Sequence, residues 1–338
     1  MAFRLVEISL PEEFCEQFQG QLSEIGVLVT WIQPLADGNM LIRLVLAAES
    51  TEPLLDLIQK NYGSLEEVRT IVLPVEASLP REKAEEPGQS PGGEPQPEEH
   101  PAKPDRISRE ELYEDVLDAS RFSPTFLAMI VLSSIVAAIG VLRNNVAVII
   151  GAMVIAPLLG PNVALALATT LGDASLARRA VRINLIGIIL ALLLSTILGV
   201  VLEVDPSVKE LVMRTRVDLG DLALALASGT AGALAFTTGV SSILVGVMVA
   251  VALLPPLAAC GLLLGSGYFQ LAGGALLLFL TNLICINLTG VITFLVQGIS
   301  PLHWWEANQA KKFTRTAIVI WVILLAALIG AILLSTKT

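Results

Sequence analysis

Between residues 124 and 335 the chain is a series of apolar runs, each about twenty residues long and free of Asp, Glu, Lys and Arg except near its ends. The hydrocarbon core of a bilayer takes roughly 20 residues of helix to cross. A charge at its centre costs about 2.5–3.5 kcal/mol. The runs at 124–142, 146–171, 180–202, 221–238, 241–264, 269–297 and 313–335 therefore predict seven spanning helices, the fourth the shortest. The expected fold is an α-helical polytopic membrane bundle with the lipid bilayer as its first partner. Charged residues make up 15% of the chain, against about 25% in soluble domains.

The charge that is present lies mostly ahead of the first run. Residues 1–75 carry 11 acids and 4 bases, whereas residues 121–338 carry 7 acids and 12 bases. The acidic balance belongs to the front third, which is a poor match for nucleic acid, and no nucleic-acid partner is expected. The start MAFRLVEISLPEEF has one base and no long apolar core before Pro11, unlike a secretory leader. The front domain is accordingly expected in the cytosol.

Residues 3–10 alternate Val6, Ile8 and Leu10 with Glu7 and Ser9, the period of a half-buried strand. Pro11-Glu12-Glu13 suits a helix first turn, where a missing N–H costs little and acids face the positive dipole end. Phe14, Phe18, Leu22 and Ile25 continue at helical spacing. Strands over 27–33 and 39–47 meet across Asp37-Gly38, a hairpin signal. Ser50-Thr51 and Pro53 open a second helix ended by Gly63, and residues 68–75 make a fourth strand. The order βαββαβ predicts an α+β, ferredoxin-like cytosolic domain over residues 1–75. It has no His, and Cys15 lacks a partner base, so no catalytic residue is assigned. Two roles stay open for it: a passive assembly module, or a sensor binding a small cytosolic effector.

Residues 76–106 are rich in proline, glycine and acids and nearly devoid of apolar side chains, the composition of a disordered linker. His100 lies there alone and is expected in solvent. Residues 107–121 regain helical character, with Ser108 and Glu111 in capping-box spacing, as a short helix leading into the membrane domain at 122–338. With a cytosolic N-terminus, Arg121, Arg178, Arg179, Arg182, Lys311, Lys312 and Arg315 flank the runs on the inside. Arg143, Lys209, Arg214, Arg216 and Lys337 lie opposite, a modest bias of the expected sign. His303, Trp304 and Trp305 read as an interfacial anchor. Cys15, Cys260 and Cys285 have no metal-ligand spacing and read as buried thiols, and no metal or cofactor site is assigned.

The membrane part also repeats itself. VIIGAMVIAPLLGP at 148–161 matches ILVGVMVAVALLPP at 243–256 with an offset of 95. Gly151, Met153 and Pro161 fall on Gly246, Met248 and Pro256, and Gly172 falls on Gly267. After a three-residue slip, Asn184-Leu185-Ile186 falls on Asn282-Leu283-Ile284. Three spans per copy make the second copy inverted, so 124–202 and 221–297 are expected as inverted three-helix repeats, with 313–335 an extra span. Pro157 and Pro161 in one copy, and Pro255 and Pro256 in the other, are expected to break the middle span of each. Broken helices at matching positions point to a binding site at mid-membrane. The expected substrate pathway joins Pro157, Gly160, Pro161, Asn162, Asn184, Pro255, Pro256, Asn282 and Asn287. The competing reading of these residues is ordinary kinks and interhelical hydrogen bonds. No run contains an interior carboxylate or histidine, which argues against a proton relay.

SREELYEDV ahead of the first run, followed by SSIVAAIGVLRNNVAVIIGAMVIAPLLGP and LARRAVRINLIG, resembles the bacterial and archaeal membrane family catalogued as domain of unknown function 389. Its most specific mark, GAMxIAPLxGP, runs here from Gly151 to Pro161. Asn145, Gly151, Met153, Ala156, Pro157, Gly160 and Pro161 fall on the family pattern. The resemblance covers about residues 107–300. It implies a multi-pass protein of a prokaryotic inner membrane and supplies neither activity nor catalytic residues.

The residues themselves favour a transporter or channel-like protein for a small solute or ion, regulated or assembled by its cytosolic domain and working as a homo-oligomer. The alternative is a membrane-anchored sensor or scaffold whose front domain binds a metabolite or nucleotide. An enzyme is not expected: no paired carboxylates, nucleophile motif or metal-ligand spacing lies in reach of a membrane site.

Overall fold

A computed structural model of the chain describes residues 3–75 except 23–24, 37, 64 and 66–67, residues 106–327 except 239–241 and 301–313, and residue 330. The expected linker lies outside the described residues apart from its last position, and so do His303, Trp304 and Trp305. The chain divides into two compact units, residues 1–111 and 112–338.

In the first unit the alternation read from the sequence sets the sheet. Strand β1 (Phe3–Pro11) buries Val6, Ile8 and Leu10, and strand β3 (Asn39–Ala47) buries Ile42, Leu44 and Leu46 on the same side. Helices α1 (Glu12–Gln21) and α2 (Ala48–Tyr62) cover that side with Phe18, Leu54, Ile58 and Tyr62. The rings of Phe18 and Tyr62 meet edge-on at 5.7 Å, a favoured aromatic geometry. With β2 (Val27–Pro34) and β4 (Arg69–Val75) the sheet order is β2-β3-β1-β4. Every neighbouring pair is antiparallel, with Glu7 opposite both Arg43 and Ile71. This is the expected βαββαβ arrangement. One boundary differs: α2 begins before Ser50, from the uncapped Ala47, which leaves Pro53 inside the helix.

Residues 106–111 belong to this unit and are held by ion pairs. Arg106 reaches Glu52 at 2.7 Å, Arg109 reaches Asp56 at 2.9 Å, and Arg4 reaches Glu111 at 3.0 Å. Half of the expected capping box forms, since the Ser108 hydroxyl accepts the Glu111 N–H at 3.2 Å. The Glu111 carboxylate pairs instead with Arg4, a charged partner that a backbone N–H does not match.

The second unit is helical. After α3 (Arg109–Ala119), shared in sequence with the first unit, come α4 (Pro124–Leu142), α5 (Val146–Ile155), α6 (Leu159–Leu171), α7 (Ala174–Val201), the short α8 (Lys209–Thr215), α9 (Leu219–Thr237), α10 (Ser242–Gly265) and α11 (Phe269–Val296). A last helix, α12, is described over Thr314–Ala327. Helices α4, α7, α9 and α11 are each long and apolar enough to cross a membrane, and the bent pair α5–α6 makes a fifth candidate. The side chains of α7 show why such a helix belongs in lipid. Val181, Leu185, Ile189, Leu193 and Ile197 form an exposed apolar stripe at every fourth position, a face that hydrocarbon solvates and water does not.

Small residues bring the helices together. Gly261 and Gly265 on α10 face Ser195 and Gly199 on α7, where a Cβ on Gly199 would overlap the Leu262 carbonyl. The Ser266 hydroxyl closes this seam by donating to the Gly199 carbonyl at 2.8 Å. On the other side Gly229 of α9 lies against Ile286 and Thr289 of α11 in the same way. Close backbone approach through small residues is how helices associate where the hydrophobic effect gives no net drive.

Candidate functional site

The apolar run at 146–171 is broken where its prolines predict. Ala156 takes an extended conformation (φ −69°, ψ 118°), as a residue before proline favours, and the chain bends by 53° between α5 and α6. Pro157 lies in the break. Pro161 is the third residue of α6, within the first turn, where an N–H would have no intrahelical carbonyl to reach. Gly160 is a packing residue: a Cβ there would overlap the carbonyl of Ala119 at the end of α3.

Asn162 follows on α6 and is 1% exposed. Its amide donates to the Leu158 carbonyl at 2.7 Å, which covers a carbonyl at the break, and to Asn184 Oδ1 on α7 at 3.2 Å. Its own Oδ1 accepts from Asn287 on α11 at 2.9 Å. Asn287 also donates to the Leu283 carbonyl at 2.8 Å. Three of the four expected asparagines thus meet in one buried network that joins α6, α7 and α11. Within it the Asn287 Oδ1 is buried without a hydrogen-bond partner among the described residues. Asn282 is buried earlier on α11.

The second pair of prolines does not behave as expected. Helix α10 runs unbroken through Pro255 and Pro256. The offset of 95 explains the difference. Pro157, which makes the break, falls on Ala252 in the second copy. Gly160-Pro161 falls on Pro255-Pro256, and both stretches lie in helical backbone. A proline inside a spanning helix is tolerated when neighbouring groups take up the freed carbonyls. Pro255 and Pro256 are buried.

Beside Asn162 a cavity of about 10 Å³ lies between α6, α9 and α11, lined in part by Ala166, Gly229, Gly232, Gly290 and Phe294. That is about the least space that holds one water. Sequence reasoning missed its glycines. The signal was available: Ala225, Gly229 and Ala233 repeat small residues every fourth position on α9, and Gly261-Leu-Leu-Leu-Gly265 is the same device on α10. Among the described residues no group of His, Cys, Asp and Glu could hold a metal ion.

At the far end of α6, Gly172 (φ 71°) closes the helix in the left-handed region, and the Asp173 N–H donates back to the Ala168 carbonyl at 2.9 Å. The matched Gly267 (φ 81°) closes α10, and the Tyr268 N–H donates back to the Leu263 carbonyl at 2.9 Å. The Asp173 carboxylate also caps α7 by accepting from the Ser175 and Leu176 N–H groups, and it accepts the Tyr113 hydroxyl at 2.9 Å. Burial pushes its carboxyl up, but the hydrogen bonds from Leu176, Ser175 and Tyr113 outweigh it and hold the pKa below the ordinary 3.8. Burial, then the bond to Asp173, pushes the Tyr113 hydroxyl up to about 12.

Residues 153–288 match the family model described as Domain of unknown function (DUF389). A relative from Methanocaldococcus jannaschii, "Uncharacterized protein MJ0678", is 35% identical over 333 residues, which cover 97% of this chain and 98% of that one. No solved structure matches the chain. The matched residues hold the α5–α6 break, the asparagine network and the glycine seams, and with a relative alike from end to end they place this chain in the DUF389 family.

Proposed function

We propose that this chain is a transporter or channel-like membrane protein for a small solute or ion, with no enzymatic activity. In this reading seven spans form two inverted three-helix repeats and an extra helix, and the front domain lies in the cytosol of a prokaryote and regulates or assembles the bundle. The observation that carries it is a polar hub at a helix break. Asn162 occupies the first turn of a half-helix and is hydrogen-bonded to α7 and α11 together. Discontinuous helices with polar groups near the bilayer midplane are how transporter folds build their sites.

The packing supports the repeat. If α4, α5–α6 and α7 correspond to α9, α10 and α11, each contact within one copy has its counterpart in the other. α4 touches α5 and α7 as α9 touches α10 and α11, and α6 touches α7 as α10 touches α11. Across the copies α7 packs on α10 and α11 on α6, which exchange under the same two-fold relation. Substrate would be held by amides and carbonyl dipoles, because no charged side chain lines the cavity.

The test is uptake by proteoliposomes holding the full-length protein, offered a panel of small cations, anions and neutral solutes. At least one should enter above the rate of empty vesicles, and Asn162→Leu should cut that uptake more than tenfold. Gly151→Ala, in open space on α5, should leave it unchanged. A protein that folds, inserts and passes none of the panel removes this reading. The second reading, a membrane-anchored sensor or scaffold, draws on the small size of the cavity. It predicts no uptake, together with a raised melting temperature when a metabolite or nucleotide binds the full chain.

A further inference from the structure

The front sheet has one face under its helices and one face open, and the strand register fixes what the open face displays. Val29, Val45, Leu5 and Leu73 lie side by side in one row across β2, β3, β1 and β4. Trp31, Arg43, Glu7 and Ile71 make the next row, and Gln33, Leu41, Ser9 and Arg69 the third. The outer members are well exposed: Trp31 by 48%, Ile71 by 51%, and Val29 and Leu73 by 41% each. At the centre Arg43 Nε lies 2.7 Å from Glu7 Oε1. Soluble surfaces seldom leave so much contiguous apolar area to water, and where they do it marks a docking site.

We propose that this open face pairs with the same face of a second copy of the chain. The proposal stands apart from the transport reading. Charge selects the occupant. One acid and one base sit side by side between Trp31 and Ile71, with the apolar row on one side and a mostly polar row, whose Arg69 lies at the edge, on the other. A two-fold axis running along the strands between β1 and β3 lays each Arg43 over the partner's Glu7 and each Trp31 over the partner's Ile71. It also keeps the strands of the two sheets aligned, the commonest way for sheets to pack face to face. An axis across the strands would set Arg43 on Arg43 and is excluded by repulsion. A lipid surface suits the face less well, because the domain behind it carries 11 acids against 4 bases and anionic headgroups repel it.

Four strands at about 4.8 Å spacing and seven residues at about 3.3 Å give a flat footprint of roughly 450 Å². A standard interface takes about 800 Å² from each partner. Pairing is therefore weak for free domains and depends on the high effective concentration that two chains in one membrane provide.

The experiment uses the full-length chain in native membranes and a short bis-maleimide. Gln33→Cys in one population and Arg69→Cys in a second, co-expressed one place thiols at opposed edges of the paired faces, too far apart within one sheet to join. The expected result is a crosslinked dimer. Adding Glu7→Arg to both populations should lower its yield at least fivefold, and so should Arg43→Glu in both. Glu7→Arg in one population with Arg43→Glu in the other should restore it, which a folding defect could not do. Absence of the crosslink in the parent pair overturns the proposal, as does its survival with Glu7→Arg on both sides or a failure of the mixed pair to recover. A Gln33→Cys thiol that stays uncrosslinked but is shielded from a water-soluble maleimide by the bilayer assigns the face to lipid and also overturns it.

Discussion

Asn162 ties three helices together, and its loss is predicted to cost the most among the three networked asparagines. Replacing it with leucine strips partners from Asn184, Asn287 and the Leu158 carbonyl at once. Leaving such groups unpaired in a dry interior costs about 1–3 kcal/mol. Asn287→Leu should cost less, since it removes an acceptor that already has no partner. Melting curves of the purified variants should rank Asn162→Leu below Asn287→Leu, and the reverse order would place the hub elsewhere. The asparagines were legible in the sequence because polar side chains stand out in apolar runs. Their convergence was expected from the repeat as well, and three of the four meet; which bonds join them was not legible, since Asn162 and Asn287 lie far apart in the sequence. Tyr113 makes a second prediction at this scale. Its folded pKa of about 12 lies above the ordinary 10, so the protonated hydroxyl stabilises the fold fully below pH 10, and that contribution fades as pH rises towards 12. Asp173 has the opposite sign: its contribution is complete above the ordinary 3.8 and is lost as pH falls through its lowered value. Tyr113→Phe should remove the alkaline step from a pH series of melting temperatures, and an unchanged alkaline limb would show that the pair contributes nothing.

Helix seams depend on glycines that the sequence displays without revealing their contacts. A methyl at Gly199 overlaps the backbone of α10 and a methyl at Gly261 overlaps α7, so backbone must move in both. Overpacking of this kind costs about 1–3 kcal/mol. Gly199→Ala and Gly261→Ala should each lower the melting temperature by several degrees. Gly151→Ala, with nothing within 4 Å of the added carbon, should hold or raise it, because alanine is the better helix former by about 0.5–1 kcal/mol. Equal losses at all three positions would mean that the seam is not where these helices meet. Gly151 is among the residues that match between the two copies, so a glycine matched in sequence need not be one the packing requires. The prolines teach the same at element level. Helix limits came through for α4 at its predicted residues and for α11 within one residue of its predicted end, whereas α7 starts at Ala174, six residues before its predicted run, because its first turns carry arginines that no apolar run includes. The break came through only in the first copy. A proline states that a donor is missing, and whether the helix then bends depends on its register against the neighbours.

At the scale of the whole molecule the proposed inverted repeat makes a prediction about sidedness. Ala174 follows the left-handed cap Gly172, and Phe269 follows Gly267 at the matched place, offset by 95. Both are exposed, Phe269 by 71%, and the native cysteines are buried. If each copy holds three spans, these positions lie on opposite sides of the bilayer, with Ala174 inside if the N-terminus is cytosolic. Ala174→Cys should therefore react with an impermeant maleimide only in inverted vesicles, and Phe269→Cys only in intact cells. The α5–α6 pair makes this a strict test, because a bend of 53° fits a kinked crossing or a segment that turns back to the side it entered from. In the second case the first copy crosses twice rather than three times, the copies point the same way, and with a cytosolic N-terminus the labelling is exchanged: Ala174→Cys reacts from outside and Phe269→Cys from inside. The two-fold exchange of α7 with α11 would then be a likeness of packing without inversion, and a solute would have no pair of opposed half-sites to pass between.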